Sequence, residues 1–342
     1  MKEIISIVLV IIGALVGAGF ASGQEIYSFF YLYGINGLFG IIIMCILMAL
    51  LIYKILKIIN IMNIDNYNDF LKIFIKNIKI NKIINIIINI LLLLSFYIMI
   101  AGFGAYFEQE IGINKLIGSI ILSILCGIVF FSNVKGVLKA SNIIVPLLIF
   151  FIIFIGVKNF LNLPKLEIIQ IKKNWIISTI IYTSYNLILL IPVLISLRKQ
   201  IKKEGNIKYI AIFSGIIMII LSIIIFMLLQ NASIVELEKQ EMPAVYIISN
   251  KFCQYRAIYA FIILGSIFTT AISVGIGFLQ NVSKTNSTFP QFVILMCITS
   301  LVVTNFGFSK LLNFVYPIFG YIGIIQIILI LTKKLTNNIA KN

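Results

Sequence analysis

Polar residues divide the chain into ten long apolar runs: Ile4 to Tyr33, Leu38 to Ile59, Ile83 to Phe107, Leu116 to Phe131, Ala140 to Val157, Trp175 to Leu197, Tyr209 to Leu229, Ile258 to Leu279, Phe289 to Phe306 and Leu311 to Leu331. Stretches such as Ile83 to Met99 lack the alternating polar positions of a transmembrane β-strand. Backbone amides and carbonyls find no water partner in lipid, so runs of this length predict helices that satisfy their own hydrogen bonds. The first run exceeds what a bilayer requires, and the fourth and ninth are short. The pattern predicts an all-α polytopic membrane protein with ten transmembrane helices.

Composition agrees with the pattern. Of 342 residues, 61% are hydrophobic and 11% charged, far from the balance of a water-soluble domain. Met1-Lys2-Glu3 followed by Ile4 to Val16 imitates a secretory signal peptide, but the apolar pattern continues through Gly23 and recurs along the chain, which predicts an inserted, uncleaved segment. Cys45, Cys126, Cys253 and Cys297 show no CxxC spacing, so neither a disulfide framework nor a zinc site is expected.

The net charge of +16 changes the picture only through its distribution. With the N-terminus inside, 18 of the 27 basic residues fall on one face: Lys2, Lys54, Lys57, Lys72, Lys76, Lys79, Lys82, Lys135, Lys139, Arg198, Lys199, Lys202, Lys203, Lys208, Lys284, Lys333, Lys334 and Lys341. The positive-inside rule then places both termini in the cytoplasm of a cell bounded by this membrane. Anionic lipid explains the charge without a nucleic-acid partner. Two connectors are long enough for structure of their own. Asn60 to Lys82, with Phe70, Ile73 and Phe74 at helical spacing, reads as an amphipathic helix on the inner face. Asn231 to Arg256, with Glu236, Glu238, Glu241 and the helix-breaking Met242-Pro243 pair, is either a solvated connector or an outer gate.

The densest exception to apolarity is Gly13 to Glu25, in the middle of the first run, with Gly13, Gly17, Gly19 and Gly23 followed by Ser22, Gln24 and Glu25. The two GxxxG pairs alone would serve close helix packing. Glycine costs about 1 kcal/mol in a helix interior, however, and lipid penalises the polar residues, so the cluster predicts an interrupted helix. Carbonyls freed at such a break can bind a cation, and freed amides can face an anionic substrate group. A second interruption is predicted in the sixth run at Thr179, Tyr182, Thr183, Ser184, Tyr185 and Asn186, upstream of Pro192. A proline-bent helix satisfied by its neighbours is the competing reading. Gly19 and Ser184 each head a set of five runs about half the chain apart, and five crossings invert the second set. That predicts one domain of two inverted repeats, about 1–158 and 172–332, as in secondary transporters with a midplane site. In the eighth run Ser266, Thr269, Thr270 and Ser273 share a face, where hydroxyls either complete an oxygen site for sodium or bond their own helix. Glu25 could hold a substrate amine, a cation or a proton, or simply face water near the outer surface. Lys139 is expected to snorkel inward. Gly102 and Gly104 offer close helix approach, and Tyr97 and Tyr106 either border a cavity or anchor an interface.

Val16-Gly17-Ala18-Gly19-Phe20-Ala21-Ser22-Gly23-Gln24-Glu25, followed by Phe29-Phe30, together with Ser184-Tyr185-Asn186 and Pro192, resembles the YkvI-type bacterial membrane proteins. Those are similar to the amino acid-polyamine-organocation transporters with the LeuT fold. The resemblance implies a five-plus-five inverted repeat with broken first and sixth helices, alternating access, and substrate held between the first, third, sixth and eighth helices. It implies sodium ligation by carbonyls of Gly13 and Val16, a carbonyl near Ser266, and hydroxyls of Thr269 and Thr270. It places substrate on Gly17, Ala18, Gly19, Ser184 and Tyr185, to which the polar residues Ser22, Glu25, Tyr182 and Asn186 are natural additions.

The expected function is cation-coupled uptake, by Na⁺ or H⁺, of a small amino acid or related amine, with no resident cofactor. The alternative is a nutrient receptor of the germinant-receptor type, which binds ligand without turnover. An intramembrane enzyme is not expected, because a Ser22 nucleophile would need a base and the chain has no histidine.

Overall fold

A computed structural model describes residues 2–160, 170–240, 242–283, 287–304 and 308–333. Lys165, Glu241, Lys284, Phe306, Lys334 and Lys341, which entered the span and charge assignments, lie outside the described residues. Secondary structure within the described residues is helical, without a β-strand.

The first apolar run is divided into α1 (Lys2–Leu15), α2 (Ala18–Ala21) and α3 (Gln24–Phe29). Then follow α4 (Ile35–Ile61), α5 (Tyr67–Lys72), α6 (Ile78–Tyr106), α7 (Lys115–Phe131), α8 (Asn133–Phe160), α9 (Trp175–Leu197), α10 (Asn206–Leu229), α11 (Ile234–Glu238), α12 (Pro243–Lys251), α13 (Arg256–Val282), α14 (Phe289–Val303) and α15 (Phe308–Thr332). Among the described residues, six helices are long and apolar enough to cross a membrane by themselves: α4, α6, α8, α9, α10 and α13. Shorter apolar helices lie at Lys115–Phe131, Phe289–Val302 and Ile318–Thr332. The chain is a polytopic helical membrane protein.

Burial separates the helices into an inner and an outer set. Within their most apolar windows α9 is 89% and α13 is 83% buried, whereas α8 is 28% buried. α1 is buried from Ile7 to Leu15 and packs against α8, α9, α10 and α13. The outer helices turn isoleucines and phenylalanines outward, among them Ile124, Ile128, Phe131, Ile143 and Phe150, as lipid-facing surfaces do.

Helix ends gather at two poles that follow the alternate connectors. At one pole, Glu3 accepts hydrogen bonds from the Lys202 amide (2.8 Å) and Asn206 (3.2 Å), Arg198 pairs with Asp65 (2.7 Å), and Lys54 reaches the Leu331 carbonyl (2.6 Å). A cavity of about 690 Å³ opens there, lined by Asp65, Asn133, Lys135, Lys199, Gln280 and Ser283 among others. At the opposite pole, Arg256 pairs with Glu110 (2.8 Å), Asn36 meets Gln170 (3.2 Å), and the amides of Ile171 and Lys172 both donate to Leu32 (3.0 Å).

Both long connectors carry short helices. Of the amphipathic segment, α5 keeps six residues, with Tyr67, Phe70 and Leu71 buried and Asn66 capping the Asp69 amide at 2.9 Å. The Lys72 ammonium, hydrogen-bonded to Asp69 at 2.7 Å, holds that carboxyl below its ordinary range. The other connector is a helical pair: Ser233 and Glu236 form a capping box at the start of α11, and Pro243 opens α12.

Candidate functional site

The break in the first run begins where the chain leaves the helical ladder after Val16. Helix continuation would have the Gly17 amide donate to Gly13; instead the Gly13 carbonyl accepts the Thr270 hydroxyl of α13 at 2.7 Å. The last bond of α1 runs from Val16 to Ile12 (2.8 Å), and the first of α2 from Ala21 to Gly17 (2.9 Å). Between them the amides of Gly17, Ala18, Gly19 and Phe20, and the carbonyls of Leu15 and Val16, make no backbone–backbone hydrogen bond across the break among the described residues. Such a stretch lies deep in a membrane protein only where the protein encloses it or water reaches it.

A second interruption follows at Ser22 and Gly23. Gly23 has φ +79°, a left-handed conformation natural to glycine, and a Cβ there would stand 3.0 Å from the Ala244 Cβ. The carbonyls exposed here are satisfied from outside. The Tyr259 hydroxyl donates to Ala21 (2.7 Å), and the Ala244 amide donates to Ser22 (2.8 Å). Thus α12 lies directly on the second break and α13 flanks both. Ser22, fully buried, turns its hydroxyl to the Gly19 carbonyl (3.2 Å).

Glu25 is the acid of this region. Its side chain is buried, with the residue 6% exposed, and folds back over Gly19, where a Cβ would stand 2.7–2.8 Å from Glu25 Cγ and Cδ. The absent side chain at Gly19 therefore makes room for the carboxyl group. Tyr182 donates its hydroxyl to Glu25 Oε2 at 3.1 Å. Tyr185 lies beside the same carboxyl, its buried hydroxyl in no completed hydrogen bond. Aromatic rings close the surroundings. Tyr182 meets Phe29 (5.3 Å), Phe30 (4.9 Å) and Tyr185 (5.2 Å), and Tyr185 stacks on Tyr316 of α15 at 4.6 Å.

The expected interruption of the sixth run is corrected: α9 is a continuous helix from Trp175 to Leu197. Its polar residues serve the helix itself. Thr183 bonds Thr179 (2.8 Å), Ser184 bonds Ile180 (2.6 Å) and Asn186 bonds Tyr182 (3.1 Å), each to the carbonyl four residues back. Pro192 removes one amide donor and is tolerated inside the helix. Ser184 also presents its backbone to Gly323 of α15. Tyr182 and Tyr185 are the residues of that cluster that reach Glu25.

The oxygens considered for sodium come together in part. Thr270 contacts Gly13 and would lie 3.2 Å from a Cβ on Gly17, and the Thr269 hydroxyl donates to the Ser266 carbonyl (3.1 Å). Oxygen donors of this kind suit a hard cation. Their hydroxyl protons, however, already bind the carbonyls that would share the ion. Among the described residues no group of three histidine, cysteine or acidic side chains could hold a metal. Elsewhere, Tyr97 pairs with Thr299 of α14 (2.5 Å), and Gly104 admits the Lys115 carbonyl and Ser119 of α7 in a close helix approach.

Three contributors were not foreseen: Tyr259, Ala244 and Tyr316. Tyr259 precedes Ser266 by two turns on the same face of α13, a spacing visible in the sequence. Ala244 and Tyr316 carry no chemical signal of their own.

Comparison with known proteins agrees with the membrane assignment. No protein-family model matches the chain. It is 29% identical over 330 residues to the uncharacterized membrane protein YkvI of Bacillus subtilis (strain 168), covering 95% of this chain and 94% of that protein. It is 27% identical over 332 residues to the uncharacterized protein YyaD of the same organism, covering 94% of each.

Proposed function

We propose that the protein is a secondary transporter that moves a small amino acid or related amine across the cytoplasmic membrane by alternating access, driven by a cation gradient. The observation that carries this reading is the break between α1 and α2, where the amides of Gly17 to Phe20 continue no helical ladder and Gly19 lies against the buried carboxyl of Glu25. Irregular backbone and an isolated carboxyl at membrane depth are both costly, and a substrate pathway is the setting in which proteins retain them. Two repeats of about 1–158 and 172–332, with both termini in the cytoplasm, form the proposed frame. The partners are then the small-molecule substrate and the lipid bilayer, and the chain acts without covalent chemistry.

Proteoliposomes preloaded with unlabelled amino acids or amines test the reading by counterflow. Accumulation of the labelled compound in exchange for its unlabelled counterpart is expected. Saturable binding of a ligand without counterflow would instead establish a receptor.

A further inference from the structure

The surroundings of Glu25 carry a statement about coupling that rests on the transporter reading. Elements packed around it supply no compensating charge. The titratable groups facing it are Tyr182 and Tyr185 from α9, with Tyr316 from α15 behind Tyr185. α2 carries none, and those of α10, Lys208 and Tyr209, lie at its opposite end. On α12, Tyr246 is half-buried and Lys251 is exposed, its ammonium directed to the Asn231 carbonyl. Tyr27 on α3 lies towards Glu238, and Tyr31 follows in the next turn. No lysine or arginine among the described residues reaches the carboxyl.

A carboxylate removed from water is stable only with a partner charge, and otherwise it holds a proton. Here the fold offers one phenolic donor and a wall of aromatic rings, whose faces attract organic ammonium groups. We propose that Glu25 is a single site shared in turn by a proton and by the ammonium group of an organic cation, which makes the protein a proton–amine exchanger. The two occupants exclude each other, because a protonated carboxyl has no charge to offer an ammonium and a paired carboxylate has no vacancy for a proton. Loading breaks the carboxyl O–H bond, releases the proton to water on that side, and forms an N–H···O bond from the ammonium to Glu25. The reverse occurs on the other side. One proton moves against each monocation, so exchange carries no net charge.

The test uses the full-length protein in nanodiscs and dicyclohexylcarbodiimide, which attacks protonated carboxyls at membrane depth, with modification of Glu25 read by peptide mass. The probes are methylammonium, propylammonium and ethanolammonium chlorides, with sodium chloride as the metal-cation control. Modification is expected to slow at least about tenfold from pH 6 to pH 9. At least one amine should slow it several-fold at fixed pH, sodium should not, and Glu25→Gln should abolish it. Failure of every amine to protect, or equal protection by sodium, overturns the shared site. In proteoliposomes the protecting amine should exchange in response to a pH gradient and remain insensitive to membrane potential, with Glu25→Asp retaining exchange at a displaced pH optimum. Counterflow of an amine that gives no protection would overturn the shared site and leave the transporter reading standing. Protection without counterflow would do the reverse.

Discussion

The first apolar run and the sixth carry polar clusters half a chain apart, yet only the first is broken. In α9 the polar groups are hydroxyls and an amide that reach back four residues to their own helix, so the backbone ladder survives them and even survives Pro192. In the first run the special residues are glycines, which contribute no helix-stabilising side chain, and the Gly13 and Ala21 carbonyls bond Thr270 and Tyr259 of another helix. Polarity alone does not open a helix. The two runs differ in local helix preference and in whether their carbonyls find side-chain partners within the same helix or on α13.

The comparison can be broken most sharply at Gly19. A Gly19→Leu variant would drive a side chain into the Glu25 carboxyl, and transport should fall by about a hundredfold or more while the protein still inserts, as read by counterflow beside size-exclusion chromatography. Retained transport would remove Gly19 from the site. Gly323, by contrast, packs on the unbroken helix: a Cβ there stands 2.6 Å from the Ser184 carbonyl carbon. Gly323→Val should cost about 1–3 kcal/mol of stability, seen as a lower thermal unfolding midpoint. Tyr259→Phe leaves the Ala21 carbonyl without its donor and should cost about 1 kcal/mol, with its effect on exchange kinetics confined to peptides around Ala21 and α13. The smallest effect is expected at Pro192→Ala, which keeps the Cβ that Gly277 contacts and returns an amide donor to α9. Stability should rise by less than about 1 kcal/mol and transport should be unchanged, whereas a substantial loss of transport would mean that α9 bends at Pro192 during the cycle.

Much of this was readable in the chain. Glycine spacing with Ser22, Gln24 and Glu25 located the break, the Met242-Pro243 pair located the division between α11 and α12, and the alternate connectors gathered at two poles. The parts that escaped depend on distant contacts. Whether a threonine bonds its own helix or another cannot be read from its neighbours in sequence: Thr183 does the first and Thr270 the second. A symmetric expectation therefore assigned α9 a break, whereas its hydroxyls bond back to a continuous helix. The roles of Ala244 and Tyr316 arise only when α12 and α15 fold over α3 and α9, because an alanine amide and one tyrosine among fifteen carry no mark of their use.

Backbone amide exchange tests the account most directly, since its central claim concerns which helix is open. Deuterium uptake of the protein in nanodiscs, compared between peptides covering Val16 to Phe20 and Thr179 to Asn186, should show the amides of Gly17, Ala18, Gly19 and Phe20 exchanging within the shortest labelling times. The α9 amides should remain protected for hours. Equal protection of both segments, or faster exchange in α9, would contradict the broken first helix and the site built upon it.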